Sequence, residues 1–446
     1  MQTLAGVAAA LDLGQTTSRA LVEQSLAAMA DPAGEGARAF ITVHAGQARA
    51  SAEAMDALRR AGRAPGPFAG VPISLKDLLD VAGEVTTAGS RVLADRPAAT
   101  AHAPVVARLL AAGFVPVGRT NMTEFAFSGL GINPHHGTPL SPWDRAGGRI
   151  PGGSSSGAAV SVADGMAVAA IGTDTGGSCR IPAAFCGVVG YKPTARRVPI
   201  EGAVPLSTTL DSIGPLAPSV ACCAAVDAVL AGEDPAPLPP VSVAGLRLAV
   251  PANLVLDGMD ATVAAAFERA LRRLADAGAR VEHLAFPQFE RIVAANARGG
   301  FAAAEAHAWH RALLAERPGE YDPRVRVRIE RGTAMGAADY VDLLAARRAI
   351  IADMDRATAP FDALAMPTAP VVPPRVAEPT DEAEYTRVNA LVLRNSSLGN
   401  FLDRCAVSLP AQRPGEAPVG LMLMGETGGD RRLLALAAAV EAILKE

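Results

Sequence analysis

Three short pieces of this chain carry residue types that do chemistry. Gly152-Gly153-Ser154-Ser155-Ser156-Gly157 and Gly176-Gly177-Ser178 are glycine-serine turns, and Gly70-Val71-Pro72-Ile73-Ser74-Leu75-Lys76-Asp77 is an apolar run that ends on a lysine. Glycine adopts positive φ and lets backbone come close to a substrate, and serine brings a hydroxyl to that place. A serine hydroxyl is a poor nucleophile until a neighbour removes its proton. A lysine in water, with a pKa of about 10.4, is protonated at neutral pH and cannot do this. Burial disfavours the ammonium and lowers that pKa by several units. Lys76, at the end of an apolar run, is placed for such burial. Only three of the 41 lysine and arginine residues are lysine: Lys76, Lys192 and Lys445. That ratio reads as a GC-rich genome drifting towards arginine. Arginine does not lose its proton in a protein, so a lysine that serves as a base could not have drifted.

The composition removes several function classes. Half of the 446 residues are apolar, ample for a large core. Formal net charge is -4, with no block of like charge, which argues against nucleic acid or a membrane surface as partner. No apolar run approaches the roughly 18 residues of a spanning helix. The first residues lack a basic segment before their apolar stretch and read as an amphipathic helix rather than a signal peptide. Five cysteines, Cys179, Cys186, Cys222, Cys223 and Cys405, form no CxxC pair, which points to reduced thiols in a cytoplasm. His135-His136 lacks a carboxylate or cysteine at ligand spacing, so no metal is expected. Gly129-Leu130-Gly131 is too short for a dinucleotide fingerprint, and no cofactor is expected.

The elements that must position these pieces alternate between strand and helix. Residues 1–60 read as helical, and Ala69 to Leu79 as a buried strand ending at Lys76-Asp77. Val105–Ala112 reads as a helix closed by Gly113, and Val115–Gly118 as a short strand. Asn121–Phe127 is a helical turn, and Gly129–Gly153 a long surface loop near the site. Gly157–Asp164 is a helix, and Ala167–Gly172 and Val188–Gly190 are strands. The proline-rich run from Gly232 to Pro240 is a connector within one fold. Beyond it come a strand at Leu246–Val250, a helix capped by Asp260, a strand at Val281–Leu284, helices over 300–357, a strand at Phe361–Met366 and a last helix from Arg431. This alternation predicts an α/β architecture with a mostly parallel sheet.

GVPISLKD, GGSSSG and GTDTGGSCR together resemble the amidase signature family, serine hydrolases that cut amide C–N bonds with a Ser-Ser-Lys triad. Gly118-Arg119-Thr120-Asn121, Gly190-Tyr191-Lys192-Pro193-Thr194, Asp211-Ser212-Ile213-Gly214-Pro215 and Asn400-Phe401 extend the resemblance over most of the chain. It implies a large mixed, mostly parallel central sheet with helices on both faces. It implies a single domain, with residues 60–230 as the signature core and 241–446 completing the sheet and lining the substrate pocket. It assigns Ser178 as nucleophile, Ser154 as proton relay behind a cis peptide bond, and Lys76 as base. Thr175, Gly176 and Gly177 then supply an oxyanion hole, because consecutive N–H groups in a tight glycine turn suit a developing negative charge. Ser155, Asp174 and Arg180 are expected as support, with Arg180 bracing the turn. Lys192 and Cys179 are read as packing. Met122, Phe125 and Phe127, the Gly129–Gly153 loop and the chain after Pro367 are expected to line the pocket. Ser156 stands where many relatives have a glycine.

The implied activity is hydrolysis of a small amide, carbamate or urea-like compound, without cofactor, nucleic acid or membrane, and with a homodimer left open. One alternative is the amidase component of a glutamine-dependent aminoacyl-tRNA amidotransferase. That reading wants an acidic residue for the substrate's amino group shortly before Asn400, and Leu391 to Asn395 is not acidic. A second is an α/β-hydrolase esterase, since Gly153 to Gly157 formally fits G-x-S-x-G. It needs a late histidine, and the last one is His310. A binding protein on the same fold is the third, and an intact triad argues against it.

Overall fold

A computed structural model describes residues 1–445. Eleven strands form one sheet: β1 Phe40–Val43, β2 Pro72–Lys76, β3 Val115–Thr120, β4 Ala169–Thr173, β5 Val189–Lys192, β6 Ile213–Ala217, β7 Arg247–Pro251, β8 Arg280–Leu284, β9 Ala363–Pro367, β10 Ala406–Pro410 and β11 Gly420–Met424. Their order is β1-β3-β2-β4-β6-β5-β10-β11-β9-β7-β8. The sheet is mixed, as expected. Parallel pairing, expected to dominate, is confined to two blocks, β3-β2-β4 and β9-β7-β8. The other six pairings are antiparallel. The reason is that β6, β10 and β11 were not legible as strands. β10 and β11 are joined by nine residues without a crossover helix, and so run antiparallel. β10 pairs with β5, so the sheet is continuous across the Gly232–Pro240 connector.

Helices cover both faces. β4 illustrates why: Ile171 packs into one large core cluster, with the helices Pro104–Ala111, Val220–Ala231 and Asp430–Lys445. Its neighbour Ala170 points into another, with Ser18–Ala30 and Ser156–Ala163. Alternate side chains of a strand serve opposite faces, and a strand covered on both sides reads as continuously apolar. The Ser156–Ala163 helix, SGAAVSVA, is small enough to lie deep in the protein. A Cβ at Gly157 would stand 2.1 Å from the Ala39 carbonyl oxygen. The helical reading of residues 1–60 misses β1. Phe40-Ile41-Thr42-Val43 favours extended backbone and finds its partner in β3.

Candidate active site

β2 and β4 are parallel neighbours, with Leu75 opposite Ile171. Their ends therefore carry Lys76 and Thr173 to one place. Lys76 is fully buried, and its Nζ donates to Ser154 Oγ and to Thr173 Oγ1, both at 2.7 Å. Burial lowers its pKa to about 8, against the opposing pull of negative charge at Asp174 and Asp211. Thr173 carries no hint of this role in the sequence, because its contact with Lys76 spans 97 residues.

The Gly153–Ser154 peptide bond is cis. Around it, Gly153 N–H donates to the Gly129 carbonyl at 2.8 Å and Thr123 N–H to the Ser154 carbonyl at 3.1 Å. A Cβ at Gly153 would stand 2.5 Å from the Gly131 nitrogen, so the sequence needs glycine there. Ser155 ties the two serine turns together. Its N–H donates to the Ser178 carbonyl at 3.3 Å and its Oγ to the Thr173 carbonyl at 3.3 Å.

Ser178 lies in a turn built around Asp174. The Asp174 carboxylate accepts from Gly177 N–H at 2.8 Å and Cys179 N–H at 3.1 Å, and takes both arms of the Arg180 guanidinium at 2.8 and 3.0 Å. Both partners are fully buried. Burial alone would raise the Asp174 pKa, but Arg180 outweighs it and holds the carboxyl well below the usual range. Asn400 donates to the Asp174 carbonyl at 2.9 Å, and Arg180 donates to Asn400 Oδ1 at 2.7 Å and to the Ser396 carbonyl at 2.8 Å. The helix Glu382–Phe401 thereby clamps the turn. Gly177 has φ +133°, and a Cβ there would meet Ser396 Oγ at 2.1 Å.

Two expectations change here. Gly177 cannot offer its N–H to an oxyanion, because Asp174 already takes it. Among the described residues the N–H groups of Thr175, Gly176 and Ser178 have no acceptor. Second, no hydrogen bond joins Ser154 to Ser178 among the described residues. Thr175 is fixed from the other side by Asp211, whose Oδ1 accepts its hydroxyl at 2.5 Å. Burial pushes the Asp211 carboxyl up to about 6, against its hydrogen bonds from Thr175 and the backbone of Ser207 and Leu206.

Ser178, Thr175 and Gly176 line one cavity of about 400 Å³. Of the three expected pocket residues only Phe127 lines it. Met122 and Phe125 are buried in a separate core cluster with Tyr321 and Val325, and the Phe125 ring centroid lies 4.3 Å from that of His310. The Gly129–Gly153 loop does not line the cavity either. Its Leu130, Ile132 and Ile150 pack instead with Phe185 and Val392. The walls come from Leu206 and Leu210, from residues 292–303, from Arg328 and Arg331, and from residues 386–401. Helical spacing in those later segments told of packing, and nothing in it told which face would meet Ser178.

His135 Nε2 lies 2.8 Å from a carboxylate oxygen of the buried Glu124. Among the described residues no three His, Cys, Asp or Glu side chains converge as a metal site. No helix among them is long and apolar enough to cross a membrane.

A strand-end lysine and two serine turns around one cavity, in a helix-covered mixed sheet, define an α/β enzyme. The Amidase family model matches residues 20–434, and the chain belongs to that family. It is a hydrolase of amide C–N bonds. It is 40% identical over 410 residues to 2-amino-5-chloromuconic acid deaminase of Comamonas testosteroni, covering 91% of this chain and 88% of that one. It is 35% identical over 443 residues to the GatA-type component of the glutamyl-tRNA(Gln) amidotransferase of Symbiobacterium thermophilum, covering 91% and 90%. Among solved structures, a crystal structure of an amidase superposes with TM-score 0.88 at 34% identity over 99% of both chains. The peptide amidase of Stenotrophomonas maltophilia superposes with TM-score 0.80 at 28% identity, over 100% of this chain and 97% of that one.

Proposed function

We propose that this chain is a stand-alone amidase for a small substrate, working through an acyl-enzyme on Ser178. The observation that carries the reading is the 2.7 Å contact of the buried Lys76 amine with Ser154 Oγ, beside the turn that presents Ser178 to the cavity. Ser178 Oγ attacks the amide carbonyl. Its proton passes to Ser154, while the Ser154 proton passes to neutral Lys76. The Thr175, Gly176 and Ser178 N–H groups receive the oxyanion, each such donor being worth about 10²–10³ in rate. The relay then returns a proton to the leaving amine nitrogen, and the C–N bond breaks. Water attacks the ester by the same path in reverse, releasing the acid and restoring Ser178. Serine-lysine pairs are a known variant of this logic. The deaminase relative supports release of ammonia from a small molecule, and 34% identity to an amidase supports amide cleavage.

Similarity to the amidotransferase component raises a second reading, ammonia release from glutamine for a partner. The residues lining the cavity include no aspartate or glutamate to face an α-ammonium group, which favours the stand-alone reading. Purified protein with no partner is therefore expected to release ammonia from a small amide, with glutamine a poor substrate. Ser178→Ala should abolish this release, and intact-protein mass spectrometry of wild type should find the acyl group on Ser178. Efficient glutaminase activity, or a need for a second protein chain, would favour the amidotransferase.

A further inference from the structure

The cavity in front of Ser178 is lined by two cations, Arg328 and Arg331, and by no carboxylate. Arg328 lies in the helix Pro323–Glu330 and Arg331 in the turn that continues it, three residues on and so on the same face. Arg331 is exposed, while Arg328 is only 8% exposed. Arg328 is held in place. One Nη donates to the Phe127 carbonyl at 3.0 Å, and the guanidinium carbon lies 5.3 Å from the centroid of the Tyr385 ring. The Tyr385 hydroxyl in turn donates to Ser128 Oγ at 2.8 Å.

What Arg328 lacks is a counter-ion. Among the described residues the other three buried arginines each pair with an aspartate: Arg119 with Asp77, Arg180 with Asp174 and Arg404 with Asp355. Arg328 forms no ion pair. Burial lowers its pKa, Tyr385 acts the other way, and the neighbouring Arg331 adds to the lowering. Asp322 also favours the charge, but its Oδ1 accepts the Arg324 N–H at the helix start. A buried charge without a partner is costly. A fixed guanidinium fork matches a planar carboxylate with two parallel hydrogen bonds. Asn389 adds a neutral donor to the same wall. Its Oδ1 accepts from Ser128 Oγ and Gly129 N–H, both at 2.8 Å, which leaves its Nδ2 to donate. Leu210, Phe301 and Leu393 make the cavity's other walls apolar.

We propose that Arg328 binds a carboxylate of the substrate, so that the enzyme acts on half-amides of dicarboxylic acids, joined by a hydrocarbon spacer. Arg331 draws the anion to the mouth. This rests on the amidase reading and names its substrate class. The test compares half-amides from malonic to adipic acid, each with its methyl ester, which removes the charge. At least one half-amide should exceed its ester in kcat/KM by about 100-fold, the worth of a charge-assisted pair, and added salt should shrink the gap. Arg328→Gln should bring the ratio towards one, chiefly through KM. Arg328→Lys should keep part of it, because the charge remains and the fork is lost. Calorimetric titration of Ser178→Ala with the same pairs should give the same order of affinity. If the esters are turned over or bound as well as the acids, the proposal is overturned and the amidase reading stands. If Ser178→Ala prefers the acids but wild type cleaves no amide, the carboxylate site stands and the amidase reading fails.

Discussion

Lys76 can serve as a base because its environment, rather than its type, sets its proton affinity. Burial brings it to about 8, so a usable neutral fraction exists near neutral pH. The neutral amine is the working form, so activity rises with pH, and kcat/KM should climb through about pH 8 and level off above it. Lys76→Arg keeps a cation and loses the base, because arginine stays protonated. A fall of about 10³-fold or more is expected, as for Lys76→Ala, measured by ammonia release across pH 6.5 to 9.5. An arginine variant with wild-type turnover would reduce Lys76 to a fixed charge. Cys179, next to Ser178, is no rival nucleophile, since burial pushes its thiol far above the usual range.

At the scale of elements, the decisive unit is the turn from Asp174 to Arg180. Its geometry is set by a buried ion pair and by a helix more than 200 residues away in sequence. Removing one partner strands the other charge in the interior. Arg180→Met is therefore expected to destabilise by about 3–5 kcal/mol, read as a lower urea midpoint, and to cost activity as the Ser178 turn loosens. The double variant Arg180→Met, Asp174→Asn should regain part of the stability, because no unpaired charge is left. If Arg180→Met unfolds at the wild-type midpoint, the pair does not hold the turn.

The whole molecule is one eleven-stranded sheet with its thiols inside. All five cysteines are free and buried. Burial pushes Cys179, Cys186, Cys223 and Cys405 above the ordinary thiol range. The thiolate is the reactive species. Native protein at pH 8 should therefore titrate with almost none of its thiols against a disulfide reagent, and denatured protein should react with all five. Rapid labelling of several thiols in native protein would mean that the sheet opens without global unfolding.

The sequence by itself determined what depends on neighbours along the chain. The Gly153 and Gly177 positions are glycine because a Cβ there would meet other atoms at 2.5 Å and 2.1 Å. Lys76 ends an apolar strand and is buried for that reason, and the three serine and lysine pieces were legible as a set. Helices and strands with strong periodicity, such as Ala261–Asp276, were legible too. Tertiary structure decided whatever depends on residues far apart in the chain. β6, β10 and β11 are short, and only their partners make them strands, so the antiparallel centre of the sheet was not legible. Thr173 becomes the second partner of Lys76 only when β4 lies beside β2. Gly177 loses its N–H to Asp174 only once the turn closes. Arg328 looked like one more helical arginine, and its place in the cavity follows from contacts across 201 residues. Local spacing fixes backbone conformation and burial, whereas the direction of a side chain into a shared cavity is set by how distant elements pack.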